Sequence, residues 1–164
     1  MPAIDTIPQL RLSEAIKILK EKFNKQMETE NDLDPEGERL ICEYAKQEFN
    51  SDLVYITHYP ASGRPFYTMP TENGLTKGFD LLYRGLEVTT GSQRINNFQM
   101  LVDNMRKFEL KPENFEFYLE IFRYGMPPHG GLAIGAERLT QQILNLKNIR
   151  EASLFPRDRY RLTP

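Results

Sequence analysis

The sequence has one cysteine, no tryptophan, little surplus charge of either sign and no long apolar run. A lone thiol, Cys42, excludes an internal disulfide and fits a reducing compartment such as the cytoplasm. It falls in an apolar helical pattern, which reads as packing and not as a nucleophile. Lys and Arg number 21 against 23 Asp and Glu, a net charge of −2. That balance excludes a domain that holds nucleic acid by charge alone. No apolar stretch approaches the roughly 20 residues of a membrane-spanning helix. The opening "MPAIDTIPQLRL" lacks the basic region and apolar stretch of a secretory signal. What is present is an ordinary globular composition, 40% apolar and 27% charged. Its 164 residues suffice for one domain, 1–164, with a hydrophobic core.

Apolar residues at helical spacing, Leu12, Ala15, Ile16, Leu19 and Phe23, predict a helix capped by Ser13 and running to about Asn24. "NDLDPEGERL" starts a second helix, with Asp34 as cap and Pro35 in the first position. That helix is expected to bury Leu40, Ile41, Tyr44 and Phe49. "DLVYITHYP" alternates and is rich in β-branched and aromatic residues, a strand ended by Pro60. "PFYTM" reads as a short strand and "TENGLTKG" as a turn. "FDLLYRGLEVTT" reads as two strands joined at Arg84-Gly85. Two helices follow, in "NNFQMLVDNMRKFEL" and in "PENFEFYLEIFRYG", the second started by Pro112 and stopped by Gly125. "MPPHGG" reads as a loop leading into a last helix. Strands joined by tight turns, with helices clustered elsewhere, give the class α+β, an antiparallel sheet flanked by helices.

If Arg84-Gly85 is a two-residue turn, Leu82 faces Glu87 and Asp80 faces Thr89. Asp80, Leu82, Glu87 and Thr89 then share one side of the sheet, and the two acids are diagonal neighbours roughly 7–8 Å apart. Two carboxylates so placed suit a divalent cation that keeps waters and shares phosphate oxygens, as magnesium does. Chance acids on a solvated face fit the same pattern. "GGLAIGAERL" puts Arg138 in the first turn of a helix, where a cation costs a few tenths of a kcal/mol. An anion held jointly by the helix end and the guanidinium explains that placement; a plain surface arginine also fits. Arg94, after "TTGSQ", is a further charged group just past the strand.

"GLAIGAERL" and "NIREASLFPRDRYRLTP" resemble motif 3 and the C-terminus of class II aminoacyl-tRNA synthetases. "FDLLYRGLEVTTGSQR" and "FRYGMPPHGG" resemble the blocks that precede them in aspartyl-tRNA synthetases of archaeal and eukaryotic type. The likeness is near-continuous from about Asp34 to Pro164. The stretch before it resembles the variable helical region between motifs 2 and 3. Asparaginyl-tRNA synthetases and related asparagine synthetases are near relatives; "GAERL" and "FPRDRYRLTP" favour the aspartyl branch. The resemblance implies ATP and aspartate as ligands with Mg2+, forming aspartyl-adenylate and then passing the aspartyl group to tRNA. It implies that Arg138 lies along the ATP triphosphate as a catalytic arginine, and that Asp80 and Glu87 hold the metal, Glu87 touching ATP as well. It puts Thr90 beside that metal, and Arg94 on the aspartate side-chain carboxylate. His129, Gly130 and Gly131 would form a loop along the amino-acid pocket; a turn histidine packed on Pro128 is the other reading of His129.

Ile95 and Ala133 depart mildly from the archaeal pattern. The larger departure is that an anticodon-binding barrel, motif 1 and motif 2 have no counterpart in these residues. Motif 2 carries the arginine for the α-phosphate, and losing one such donor costs roughly 100- to 1,000-fold in rate. The expectation is half of a catalytic core, with a sheet edge open to a protein partner or a second copy. Such a chain would work only with a partner. A regulatory paralogue that binds ATP or aspartate without turnover, and asparagine synthesis with a partner, are the other readings.

Overall fold

Apolar residues at helical spacing in the first third of the chain build two helices that cover one face of a mixed sheet. The computed structural model describes residues 7–163. The sheet has the order β1-β2-β3-β4-β5, with β1 at Gln9–Arg11, β2 at Leu53–Thr57, β3 at Gly78–Tyr83, β4 at Leu86–Gln93 and β5 at Gly130–Ile134. β2 to β5 are antiparallel neighbours, and β1 adds to β2 in parallel. The short β1 makes the sheet mixed where an antiparallel one is expected. The class remains α+β.

Helix α1, Leu12–Phe23, and helix α2, Pro35–Phe49, pack Leu12, Ala15, Leu19, Ile41 and Ala45 against Val54, Ile56 and Leu82 of the sheet. Cys42 lies in this core, and burial pushes its thiol up to about 12, which leaves it protonated and inert. Asp34 caps α2, accepting from the Gly37 N–H at 2.6 Å. α1 begins one residue before Ser13: Arg11 takes the cap position, and its N–H donates to Glu14 at 2.8 Å. Phe49 is half exposed, because α2 ends there.

The opposite sheet face carries Leu53, Tyr83 and Val88, onto which Leu139 of helix α5, Ala136–Leu144, packs. α1, α2 and α5 all stop at an asparagine in the left-handed conformation, Asn24, Asn50 and Asn145. Helices α3, Phe98–Lys107, and α4, Glu116–Arg123, form a separate cluster around Leu101, Met105, Leu119 and Phe122. A tight helical turn at Pro112–Phe115 precedes α4, so the regular helix starts later than Pro112.

Two strand expectations change. Phe66–Met69 is not a strand: Thr68 N–H turns back to Pro65 at 2.9 Å, and only a single rung, Thr68 to Arg94, joins it to the sheet's end. The glycine-rich run Gly130–Ile134 is a strand, paired along its whole length with Thr89–Gln93. Its glycines read as loop, yet here they allow close approach. A Cβ on Gly131 would come within 2.9 Å of the Arg94 guanidinium.

Candidate active site

The hairpin turn forms at Arg84-Gly85, both with positive φ, 49° and 89°. Tyr83 then faces Leu86 and Leu82 faces Glu87, as the turn dictates. Beyond that the register slips: Leu81 faces Thr89 and Asp80 faces Thr90. Val88 is the extra residue of a β-bulge, and it joins the α5 side. The expected pairing of Asp80 with Thr89 is thereby corrected. Thr90, three residues on from Glu87, joins Asp80 and Glu87 on one face only because of this bulge. Arg64, from the loop after β2, confirms the shared face: its guanidinium pairs with Asp80 and donates to Thr90 Oγ1 at 3.3 Å.

Asp80 has a side chain only 3% exposed, and Arg64's is 12% exposed. The guanidinium carbon of Arg64 sits 3.5 Å from the centre of the Tyr59 ring. Burial, with Asp80 nearby, pushes the Tyr59 hydroxyl well above its ordinary value, so it stays neutral. One oxygen of Asp80, Oδ1, is buried without a hydrogen-bond partner. An orphaned carboxylate oxygen beside a second acid is the donor set a hard cation takes. Among the described residues no three acid, histidine or cysteine side chains converge as a metal cage. Two carboxylates fit magnesium, which keeps waters and phosphate oxygens for its remaining positions.

Glu87 is held from two sides. Its main-chain N–H donates to Glu38 Oε2 of α2 at 2.9 Å, and its C=O accepts from Arg138 Nη1 of α5 at 2.9 Å. The same guanidinium nitrogen is 3.5 Å from Glu87 Oε1. Burial and the Asp80 charge raise the Glu87 carboxyl above its ordinary value, and burial does the same to Glu38. Arg138 therefore lies in the first helical turn, as expected, but rests on Glu87.

Arg94 closes the other end. Its Nη1 donates to Ser92 Oγ at 2.6 Å, and its guanidinium lies 4.6 Å from the Tyr67 ring centre. Among the described residues no carboxylate is within ion-pair distance of it. Arg64, Glu87, Thr90 and Arg94 line one cavity of about 340 Å³. Arg94 also borders an aromatic recess of about 470 Å³, where His129, Gly130 and Gly131 lie with Phe66 and Tyr118. His129 Nδ1 is 3.0 Å from the Pro127 carbonyl, which only accepts, so the proton sits on Nδ1. The structure thus groups Asp80, Glu87, Thr90, Arg94 and Arg138 around one face and one strand end, and sets His129 behind Arg94. Sequence reasoning missed Arg64 and Glu38. Neither belongs to a motif; the only signal for Glu38 is an acid in the first turn of a capped helix.

A family model described as tRNA synthetases class II (D, K and N) matches residues 3–159. An aspartate–tRNA(Asp/Asn) ligase of Thermus thermophilus is 54% identical over 158 residues, covering 96% of this chain and 37% of that protein. The aspartyl-tRNA synthetase of Entamoeba histolytica superposes with a TM-score of 0.92 at 34% identity, covering 98% of this chain and 33% of that one. An asparaginyl-tRNA synthetase of Pyrococcus horikoshii, solved with asparaginyl-adenylate, superposes at 0.88 with 32% identity, covering 98% of this chain and 36% of that one. The chain thus spans little more than a third of the relatives it matches. A match over nearly every residue, on a sheet that superposes this closely, means that the chain belongs to the class II tRNA synthetases of the D, K and N group.

Proposed function

We propose that this chain carries the magnesium–ATP and aspartate half-site of an aspartate–tRNA ligase. The observation that carries the reading is the convergence of Asp80, Glu87 and Thr90 on one face, with Arg94 lining a cavity with Glu87 and Thr90 and having no carboxylate partner among the described residues. In this reading Arg138 leaves Glu87 and takes a phosphate oxygen of ATP, backed by the N-terminus of α5. Asp80 Oδ1 and Glu87 hold magnesium, which supplies charge neutralisation on the phosphates. Thr90 Oγ1 borders that position. Arg94, with a planar fork of donors, takes the side-chain carboxylate of aspartate and discriminates it from the neutral amide of asparagine.

An oxygen of the aspartate α-carboxylate attacks the α-phosphorus of ATP, the bond to the bridging oxygen breaks, and pyrophosphate leaves. The terminal ribose hydroxyl of tRNA then attacks the aspartyl carbonyl and AMP leaves. The chain's residues contribute alignment and fixed charge to both steps. Aspartate is favoured over asparagine by the Arg94 guanidinium, which no carboxylate among the described residues neutralises, and by the names of the more similar curated relatives. Full ligation requires strands from elsewhere, from a partner or a further stretch of chain, set against the β5 edge to supply the remaining wall.

Calorimetric titration with magnesium–ATP, then with a non-hydrolysable aspartyl-adenylate analogue, tests this. Wild type is expected to bind both. Glu87→Ala and Arg138→Ala should each weaken magnesium–ATP by about tenfold or more, as expected for loss of a charge-assisted contact worth about 1.5–3 kcal/mol. Equal binding by wild type and both variants removes the reading.

A further inference from the structure

We infer that Glu38 is a positioning residue for the metal–nucleotide site, acting through the main chain of Glu87; this rests on the half-site reading above. Glu87 sits where β4 bulges, and there the neighbouring strand gives out. The β4–β5 ladder ends at Thr89 opposite Ile134; one further bond, from Gly135 N–H to the Val88 carbonyl at 2.9 Å, falls one residue short of Glu87. The direction of the Glu87 side chain depends on torsions that the sheet alone does not hold on that edge. Two helices on opposite faces supply the hold. Glu38 of α2 accepts the Glu87 N–H, and Arg138 of α5 donates to the Glu87 C=O, both at 2.9 Å.

The two contacts are not equivalent. Arg138 is the group that turns to a phosphate when nucleotide binds, so its grip on Glu87 is given up in the complex. Glu38 has no such second task. It is half-buried, is fixed in the first turn of a helix capped by Asp34 and started by Pro35, and its Oε2 stays on the Glu87 N–H. Glu38 is therefore the anchor that keeps the bulge, and with it the Glu87 carboxylate, aimed toward Asp80 Oδ1 after Arg138 has moved. Outer contacts that orient a metal-binding carboxylate typically alter affinity by about 10–100-fold when removed.

The test uses Mn2+ with ATP as the probe, the free ion being counted by its paramagnetic resonance signal, on the 164-residue chain. Glu38→Ala removes the acceptor. Glu38→Gln removes the charge but keeps a carbonyl oxygen that accepts the same bond. The expected result is Mn2+–ATP affinity about tenfold or more lower in E38A and within about threefold of wild type in E38Q. Should E38A fail to fold by circular dichroism, Glu38→Met, of similar length and without an oxygen, takes its place. Wild-type affinity in E38A or E38M overturns the positioning role while leaving the half-site intact. Equal losses in E38A and E38Q overturn it too, because charge and not the hydrogen bond would then be at work. Absence of Mn2+–ATP binding in wild type instead defeats the half-site reading, and the role of Glu38 falls with it.

Discussion

Arg64 and Asp80 form the most deeply buried ion pair of the molecule's described part, and neither is at liberty to change alone. With the Asp80 side chain 3% exposed, a lost partner leaves a charge away from water. Replacing Arg64 by Met is expected to cost about 3–5 kcal/mol in urea unfolding, the usual penalty for breaking a buried pair. Adding Asp80→Asn to Arg64→Met should recover part of that loss, since the stranded charge goes too. A loss in R64M under about 1 kcal/mol, in the range of exposed pairs, contradicts the buried-pair description. The same residues mark how far the sequence was legible. Asp80 and Glu87 could be assigned to one face because a two-residue turn sets register by counting. Thr90 could not: the count put Thr89 on that face, and only the family resemblance named Thr90. The inserted Val88 reconciles them, and a bulge leaves no mark in spacing that separates it from a regular strand. Arg64 was invisible for a different reason. It reaches the site from a loop, and loops bring residues together without periodicity.

At the scale of elements, helices were easier to read than strands. α2 announces itself by Asp34 and Pro35, and the structure keeps both in their expected positions. Its cap yields a prediction with a sign in pH. Lys25, 2.9 Å from Asp34, and then the Gly37 N–H hold the Asp34 carboxyl below its ordinary value. A lowered folded value means that the charged form is the stabilising one. The contribution is therefore fully present above the ordinary carboxylate range and is lost as pH falls through the lowered value. Asp34→Ala should cost about 1 kcal/mol at neutral pH, almost all of it from the cap, since the Lys25 pair is solvent-screened. The gap between wild type and D34A in urea midpoint should narrow on acidification. A gap that widens toward low pH reverses the assignment. β5 was the strand least available to reading. Gly130 and Gly131 argue for a loop by composition, and their fit beneath Arg94 becomes visible only once β4 lies alongside.

Taken whole, the molecule is a sheet with a short polar edge at one end and a longer apolar edge at the other. β1 at one end is three residues long, with Gln9 and Arg11 exposed, and β5 at the other has β4 as its only strand neighbour among the described residues. Leu132 and Ile134 stand out from β5 at 60% and 57% exposure, and Leu154 near the C-terminus is 90% exposed. An open strand with apolar side chains is a template for another chain, and a net charge of −2 offers little repulsion against it. The 164-residue chain alone is therefore expected to self-associate as concentration rises. In size-exclusion chromatography with light scattering, its mass should climb above the 19.2 kDa of one copy. Leu132→Lys together with Ile134→Lys should hold it at one copy without changing the circular dichroism, because both side chains already face water. Self-association unchanged in that double variant would move the contact to the apolar C-terminal stretch around Leu154 and Phe155. A single-copy mass at every concentration would mean that the edge is protected, and that the strands completing this half-site must bind by contacts more specific than an exposed backbone.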